Sequence, residues 1–544
     1  MQQDLAPGRR IGKAPSMTLK PLGDSAWLVE FPGLTGEAAL ARVMGLVDAL
    51  EMNRPAGVLD VVPSFDSLAV HFTGGDGLDV LDWIQSVTVV DRLPEGGEIQ
   101  IPVCYGGEHG PDLEEVARET GLSTEQVIAL HSSAIYTVAA VGFSPGFPYL
   151  LGLPERLRLP RRATPRLAVP AGSVAVAGGQ AGIYPFTSPG GWQVLGRTAV
   201  GLFDLTLERP ALLRSGDRVR FVPVDELTTM EKIPPAAQPA GPRWIEVIQP
   251  GALTTVQDLG RPGHESSGVS PGGAVDRQAL RMANLLVGND EGAAVLELCV
   301  TGPVLKFHAE TVVALVGATG KPRRVAAGET VDFTKLTGNV RACLAVAGGL
   351  RVPVVLGSMA TDLRAGFGGL HGRALRAGDR LDFGEPGHAP REGNWFVGRP
   401  ESVDRIELRY IPGVQQHGFY EKTRKRFQNE IYHLTPKSDR MGARLSGAEL
   451  TLAAPCEMIS QPVACGSVQV PPDGQPIVLL AERQTIGGYP QIGHVVSVDL
   501  PKLARAWPGT QVVFREITRD QAVALRRRQE EDFKWLQTGL KLLT

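Results

Sequence analysis

The 544-residue chain lacks most of the features that tie a protein to a membrane, a nucleic acid or an oxidising compartment. Its five cysteines, Cys104, Cys299, Cys343, Cys456 and Cys465, are odd in number, scattered and without a C-x-x-C pair. That pattern argues against a disulfide framework and fits buried thiols in a reducing, cytoplasmic setting. No apolar run reaches the roughly 18 residues of a membrane span. The opening MQQDLAPGRRIGKAPSM has no apolar signal core and reads as a tail over residues 1–17, with Met17 a second candidate start. Lys and Arg total 55 against 58 Asp and Glu, so the formal charge of −3 leaves no basic excess for a nucleic acid.

Familiar catalytic frames are missing too. The ten histidines form no H-E-x-x-H, and no metal site is predicted. Gly320-Lys321 runs on into Pro322 where a phosphate loop needs Ser or Thr, and no G-x-G-x-x-G opens a helix. Gly142–Gly146 reads G-x-S-x-G literally. Its oxyanion donor would be the N–H of Pro145, which proline does not have, so the segment is read as a rigid pocket loop.

What is abundant is glycine (65) and proline (42), which favours short strands and turns over long helices. The pattern predicts a mainly β chain with α+β parts. A small α+β domain is expected over 18–97, β modules over 98–231, 244–395 and 396–544, and a Pro/Ala-rich linker over 232–243. Gly-x-x-x-x-Phe recurs at Gly216–Phe221, Gly328–Phe333, Gly378–Phe383 and Gly509–Phe514, each read as a turn glycine followed by a strand. Asp112, Ser123 and Asp276 are expected helix N-caps. Thr518–Leu543 reads as an amphipathic helix docked on its own domain.

Two glycine-rich stretches stand out, Val169–Thr198 and Gly466–Val495, which pair Gln180 with Gln484 and Tyr184-Pro185 with Tyr489-Pro490. Glycines bring backbone amides close to a bound group, so the first stretch reads as an anion or nucleotide cradle. Its candidates are Arg161, Arg166, Gln180, Ser188, Gly190, Gly191 and Arg197. In the second, Glu482, Gln484 and Tyr489 around Gly487-Gly488 suit recognition of a small amide with proton transfer. Asp258 with Arg261, Asp439 among the cations Lys437, Arg440 and Arg444, and His131 complete the set. Ordinary surface charges, strand ends and a core histidine are the competing readings.

On these motifs the chain resembles a known pair of families. GFSPGFPYL, PRRATPR and VPAGSVAVAGGQAGIYPFTSPGGWQVLGRT resemble the 5-oxoprolinase B subunit family, also described as allophanate-hydrolase-subunit-1-like or kinase-inhibitor-like. TVQDLGRPG, GVSPGGAVD, TDLRAGFGGLHGR, SDRMGARL, GSVQVPPDG and ERQTIGGYPQIG resemble the C subunit, or biotin-dependent carboxyltransferase-domain, family. The resemblance implies cyclophilin-like β-barrel domains, one in the first half and a tandem pair in the second. It also implies ATP-dependent hydrolysis of 5-oxo-L-proline to glutamate, with ATP accompanied by Mg2+ and a separate A subunit as partner; self-association is left open. Asp258, Asp439, Glu482 and Tyr489 are then the expected catalytic groups. Gln484, Gly487, Gly488, Arg444, Arg261 and His131 would bind substrate, and the first stretch the nucleotide. The same modules occur in urea carboxylase, so a carboxyltransferase fed by carboxybiotin is the alternative, as is a regulatory inhibitor of a sensor kinase. No A-M-K-M tetrapeptide is present, so biotin would be carried on another chain. Ala181, Ala360 and Glu482 depart from the families' usual Thr, Ser and Asp.

Overall fold

A computed structural model describes residues 17–92, 97–227, 241–317, 320–336, 338–386, 404–454 and 458–542. The expected tail before Met17, most of the expected linker and Cys456 lie outside the described residues, and the other four cysteines are free thiols. No described helix is long and apolar enough to cross a membrane.

The chain begins with strands Thr18–Pro21, Ala26–Glu30, Val58–Ser64 and Ser67–Phe72, an antiparallel sheet in the order first, second, fourth, third. Helices Gly36–Glu51 and Leu78–Ser86 cover one face through Val43, Leu46, Leu50, Val80 and Ile84. The other face meets Ala464 through Leu22, Leu28, Val62 and Ala69.

Two closed seven-stranded barrels follow the same path. Around the first run Glu98–Tyr105, Gln193–Arg197, Ser173–Ala177, Gln180–Ile183, Pro148–Leu151, Tyr136–Val141 and Arg218–Pro223. Around the second run Arg405–Pro412, Gln491–Val495, Ser467–Gln469, Ile477–Leu479, Gly442–Ser446, Tyr432–Leu434 and Gln511–Glu516. Each closes on a parallel pair of its first and last strands. Each also carries a two-stranded arm, Arg166–Val169 with Ser188–Gly190 and Gln461–Pro462 with Ile486–Gly487. Gly172 and Gly466 occupy the same corner, at φ 83° and 92°, where a Cβ would lie 2.1 Å from the Thr198 carbonyl oxygen and 2.3 Å from that of Val495. Only glycine fits such a backbone approach.

This common frame corrects one expected pairing. Gly190-Gly191-Trp192-Gln193-Val194 runs in step with Gly487-Gly488-Tyr489-Pro490-Gln491, because Arg197 pairs with Ser173 as His494 pairs with Ser467. Tyr184 instead follows the strand Gln180–Ile183, so its Tyr-Pro pair is not the counterpart of Tyr489-Pro490.

Between the barrels lie two five-stranded sheets over one core, which includes Val247, Leu296, Leu305, Leu344 and Phe383. Helix Arg277–Leu286 covers the outer face of one sheet through Leu280, Ala283 and Leu286. Strands Thr311–Val316 and Arg341–Val346 are therefore buried on both faces and read as nearly unbroken apolar runs. All four Gly-x-x-x-x-Phe segments begin strands at a left-handed glycine. Their third and fifth following residues (Val219 and Phe221, Val331 and Phe333, Leu381 and Phe383, Val512 and Phe514) are buried together, as alternation requires.

Ser123 forms a full capping box with Gln126, and Asp276 caps its helix through the Ala279 N–H. Asp112 does not cap: its carboxylate turns to Arg162, Arg166 and the Val194 N–H, a stronger set of donors. The C-terminal helix Arg519–Leu542 docks on Leu285 through Phe533 and Leu540. Arg526 and Arg527 reach the N-terminal domain, at the Asp24 carbonyl and the Asp76 carboxylate.

A buried polar cluster joins three modules. Glu265 pairs with Arg483 and lies 3.8 Å from His71, while Asp60 accepts from the Ser266 N–H at 3.0 Å. Burial, and then the negative charge of Glu265, push the Asp60 carboxyl up to about 6. The folded state thus holds this proton more tightly than the unfolded chain. The contribution is complete at acid pH and is lost as pH rises through about 6, a change of about 3 kcal/mol. Asp60→Asn removes it. Between pH 4 and 6.5 the unfolding free energy of the native chain should fall relative to the variant by about 2 kcal/mol in paired denaturant titrations; parallel curves would contradict the assignment.

Candidate functional site at the three-module junction

The loop Gly142–Phe147 of the first barrel is wedged between the other modules. The Gly146 N–H donates to the Ser267 carbonyl at 3.0 Å, and a Cβ on Gly142 would strike Ile486 of the second barrel's arm at 2.8 Å. Within the loop Phe143 adopts φ 67°, a left-handed conformation costly for a bulky residue. It presents its carbonyl and ring to Arg364, whose Nη1 donates to that carbonyl at 3.1 Å and whose guanidinium lies 4.5 Å from the ring centroid. The Arg364 turn is held by Asp362, which accepts from the Arg364 and Ala365 N–H groups at 3.1 and 2.9 Å. From the second barrel, Met441 Sδ approaches Arg364 at 3.9 Å.

Beneath this contact Arg440 is buried between two carboxylates. It donates to Glu297, to Glu482 at 2.6 Å and to the Gly273 carbonyl at 2.6 Å. Burial works against its charge, but Glu297 and Glu482 outweigh that and raise its pKa. Burial raises the Glu482 carboxyl, with Arg440 opposing. The side chain of Arg261, 1% exposed, donates to the Val355 and Ala360 carbonyls, lies over Phe367, and leaves Nη1 without a partner among the described residues. Neither Arg261 nor Arg364 forms an ion pair among the described residues, and burial lowers the pKa of both, with the charge of Asp362 opposing. Two guanidiniums with no carboxylate bonded to them, although the charges of Asp362 and Glu482 act on both, can receive an anionic oxygen, and the buried Glu482 can exchange a proton next to it.

The expected residues divide. Glu482 belongs to the junction, Gln484 lies half-buried on Gln469, and the charge of Asp439 reaches Arg364. Asp439 itself is exposed, and its carboxylate holds the Met441 and Gly442 N–H groups. Arg444 and Tyr489 are exposed, Gly488 is half-buried, and Gly487 is packed against Gln469. Asp258 is not paired with Arg261: its oxygens accept from the Gly260 and Met359 N–H groups and the Ser358 hydroxyl, fixing a loop. His131 is a core residue with no exposure, stacked on Phe221 and bonded to the Tyr105 hydroxyl at 2.8 Å; burial pushes it down to about 3. It cannot touch a substrate in this packing.

The cradle residues are mostly held by the protein itself. Arg166 forms a two-bond ion pair with Asp112 at 2.7 Å, and Arg197 Nε donates to the Ala171 carbonyl at 2.8 Å. Gly190 is glycine because a Cβ would lie 2.3 Å from the Tyr184 hydroxyl, and Gly191 lies against Pro165. Gln180 is half-buried, and the buried Ser188 hydroxyl has no partner among the described residues. Arg161 is exposed, and its charge acts on Tyr149 and Tyr184, whose phenols burial pushes up to about 12. Arg364 also acts on Tyr149, so one phenol faces the positive charge of two modules.

The site and fold define a class. The family model for carboxyltransferase domain, subdomain C and D, matches residues 17–213, and the one for subdomain A and B matches residues 267–516. Relatives narrow it. The C subunit of 5-oxoprolinase from Escherichia coli K12 is 37% identical over 304 residues, 54% of this chain and 97% of its own length. The B subunit of 5-oxoprolinase from Escherichia coli O157:H7 is 44% identical over 211 residues, 38% of this chain and 95% of its own. The crystal structure of TTHA0988 matches with a TM-score of 0.80 at 37% identity, covering 90% of this chain and 99% of that one. The chain belongs to the carboxyltransferase-domain family, and it joins in one polypeptide a part like the B subunit of 5-oxoprolinase and a part like the C subunit.

Arg364 and Phe143 did not emerge from the sequence. The signal was present in the TDLRAG motif and in a bulky residue between Gly142 and Ser144. Replacing Arg440 by Leu would leave Glu297 and Glu482 buried without their counter-charge. We expect a loss of about 3–5 kcal/mol in urea unfolding, against a smaller loss for Glu482→Gln, which keeps a neutral acceptor.

Proposed function

We propose that the chain is the joined B and C component of an ATP-dependent 5-oxoprolinase, working with a separate A-type subunit to open 5-oxo-L-proline to glutamate. The names of its relatives support this reading, and one structural observation favours it: Arg364 of the middle module sits on the carbonyl and ring of Phe143 of the first barrel with no ion pair among the described residues. An anion seated at that contact would meet a guanidinium to which no carboxylate is bonded. A lactam carbonyl is a poor electrophile, and phosphorylation of its oxygen by ATP makes a carbon that water can attack. Such a step needs cations aimed at the developing negative charge. Arg364 and Arg261 are the candidates to supply it, and Arg161 to hold phosphate with any Mg2+ that accompanies the nucleotide. Glu482, whose carboxyl is raised by burial, is the candidate to pass the proton to the leaving nitrogen. Glutamate release from 5-oxoproline should require ATP, this chain and the A-type subunit together. Arg364→Met should lower kcat/KM by about a hundredfold or more while moving the urea midpoint little.

The family descriptions support a second reading, a carboxyltransferase fed by a biotinylated partner. Carboxylation of urea with a biotinylated donor, and no glutamate release with the A-type subunit, would select it.

A further inference from the structure

The two barrels share one frame but differ at one pair of facing positions. In the first barrel Ala175 pairs with Val194 on the outer face, packed in an apolar cluster with Tyr149, Trp192 and Ile486. The corresponding pair in the second barrel is Gln469 and Gln491, directly opposed across their strands. Both are buried, at 2% and 0% exposure, yet Gln469 Nε2 and both amide atoms of Gln491 have no partner among the described residues. Buried amides are nearly always satisfied, and leaving them unpaired costs stability that an Ala-Val pair would not. Among the described residues, the side-chain bond these amides do make runs from Gln484 Nε2 to Gln469 Oε1, long at 3.3 Å. Gly487 lies over the pair: a Cβ there would fall 2.5 Å from Gln469 Nε2.

We propose that Gln469 and Gln491 form a recognition site for a planar amide, one layer beneath Gln484 and Gly487. The unpartnered atoms comprise two amide donors and one carbonyl acceptor, the complement of a cis-amide edge such as a lactam, whose oxygen accepts while its N–H donates. The half-buried Gln484 gates the pair, and its long bond to Gln469 is the one an entering amide replaces. The main-chain N–H of Gln491 is already held by Gln415 Oε1 at 3.0 Å, so the side chain alone is available. The identification of the lactam as substrate rests on the proposed function; the preference for an amide edge rests on the glutamines.

The test imports the first barrel's residues as the double variant Gln469→Ala, Gln491→Val. Removing unpaired buried amides should leave the unfolding temperature unchanged or higher. In the complete enzyme with the A-type subunit, KM for 5-oxoproline should rise about a hundredfold, roughly tenfold for each lost hydrogen bond. The thermal shift that 2-pyrrolidinone, a lactam without a carboxylate, gives the native chain should disappear. An unchanged KM, a retained pyrrolidinone shift, or no shift in the native chain would overturn the proposal and leave the pair a site for ordered water. If the native enzyme releases no glutamate but the pyrrolidinone shift is present and lost in the variant, the amide site stands and the oxoprolinase reading falls.

Discussion

The junction depends on one buried cation. Arg440 reaches out of the second barrel and meets Glu297 on a strand of the middle module, Glu482 beside the second barrel's arm, and the Gly273 carbonyl. Removing a guanidinium and two carboxylates from water is expensive, and the arrangement holds only because each group satisfies another. Glu297 makes a further bond to the Val275 N–H, which ties the loop leading into helix Arg277–Leu286 to the same knot. The knot therefore sets where the second barrel sits on the middle module, and with it the distance between Arg364 and Glu482. An apolar core would supply comparable stability without that specification, since apolar packing tolerates sliding that a directional charge cluster does not.

Duplication explains why the site lies between modules. Each barrel spends its interior on packing side chains: Val174, Leu195 and Phe221 in the first, Val468, Ile492 and Phe514 in the second. Such packing fills both interiors, so the candidate site falls to the outer faces and arms. The first barrel's outer face became apolar and took up Leu40, Met44 and Phe65 of the N-terminal domain together with Ile486 of the second barrel's arm. The second kept polar groups at the same positions. One copy thus serves as the support against which the other is held.

Much of this was legible in the chain. Alternation after a turn glycine marked four strands correctly because a strand's two faces are set locally by the pleat. The Ser123 box and the Asp276 cap were readable because they involve residues three apart. What failed was long-range. Asp112 has the right residue type for a cap, but Arg162 and Arg166, fifty and more positions away, compete for its carboxylate and win. The glycines of the first stretch looked like a ligand cradle, yet Gly190 is required by the Tyr184 hydroxyl and Gly172 by the Thr198 carbonyl. A backbone approached by its own protein and one approached by a ligand leave the same residue in the sequence.

The same limit accounts for Arg364 and Arg261. Among 55 basic residues, nothing local distinguishes a guanidinium that will be buried without a carboxylate from one that will lie on the surface. The distinction comes from assembly: Asp362, the acid nearest in sequence to Arg364, turns its carboxylate to main-chain N–H groups, and Asp258 does the same near Arg261. Each candidate counter-ion is thus occupied in shaping the loop that carries the arginine. The loops gain rigidity from this, and the arginines feel these charges at a distance while no carboxylate bonds them among the described residues. Rigid loops and guanidiniums with no bonded carboxylate are what a site for a transient anion requires, and here the same carboxylates provide the first without bonding the second.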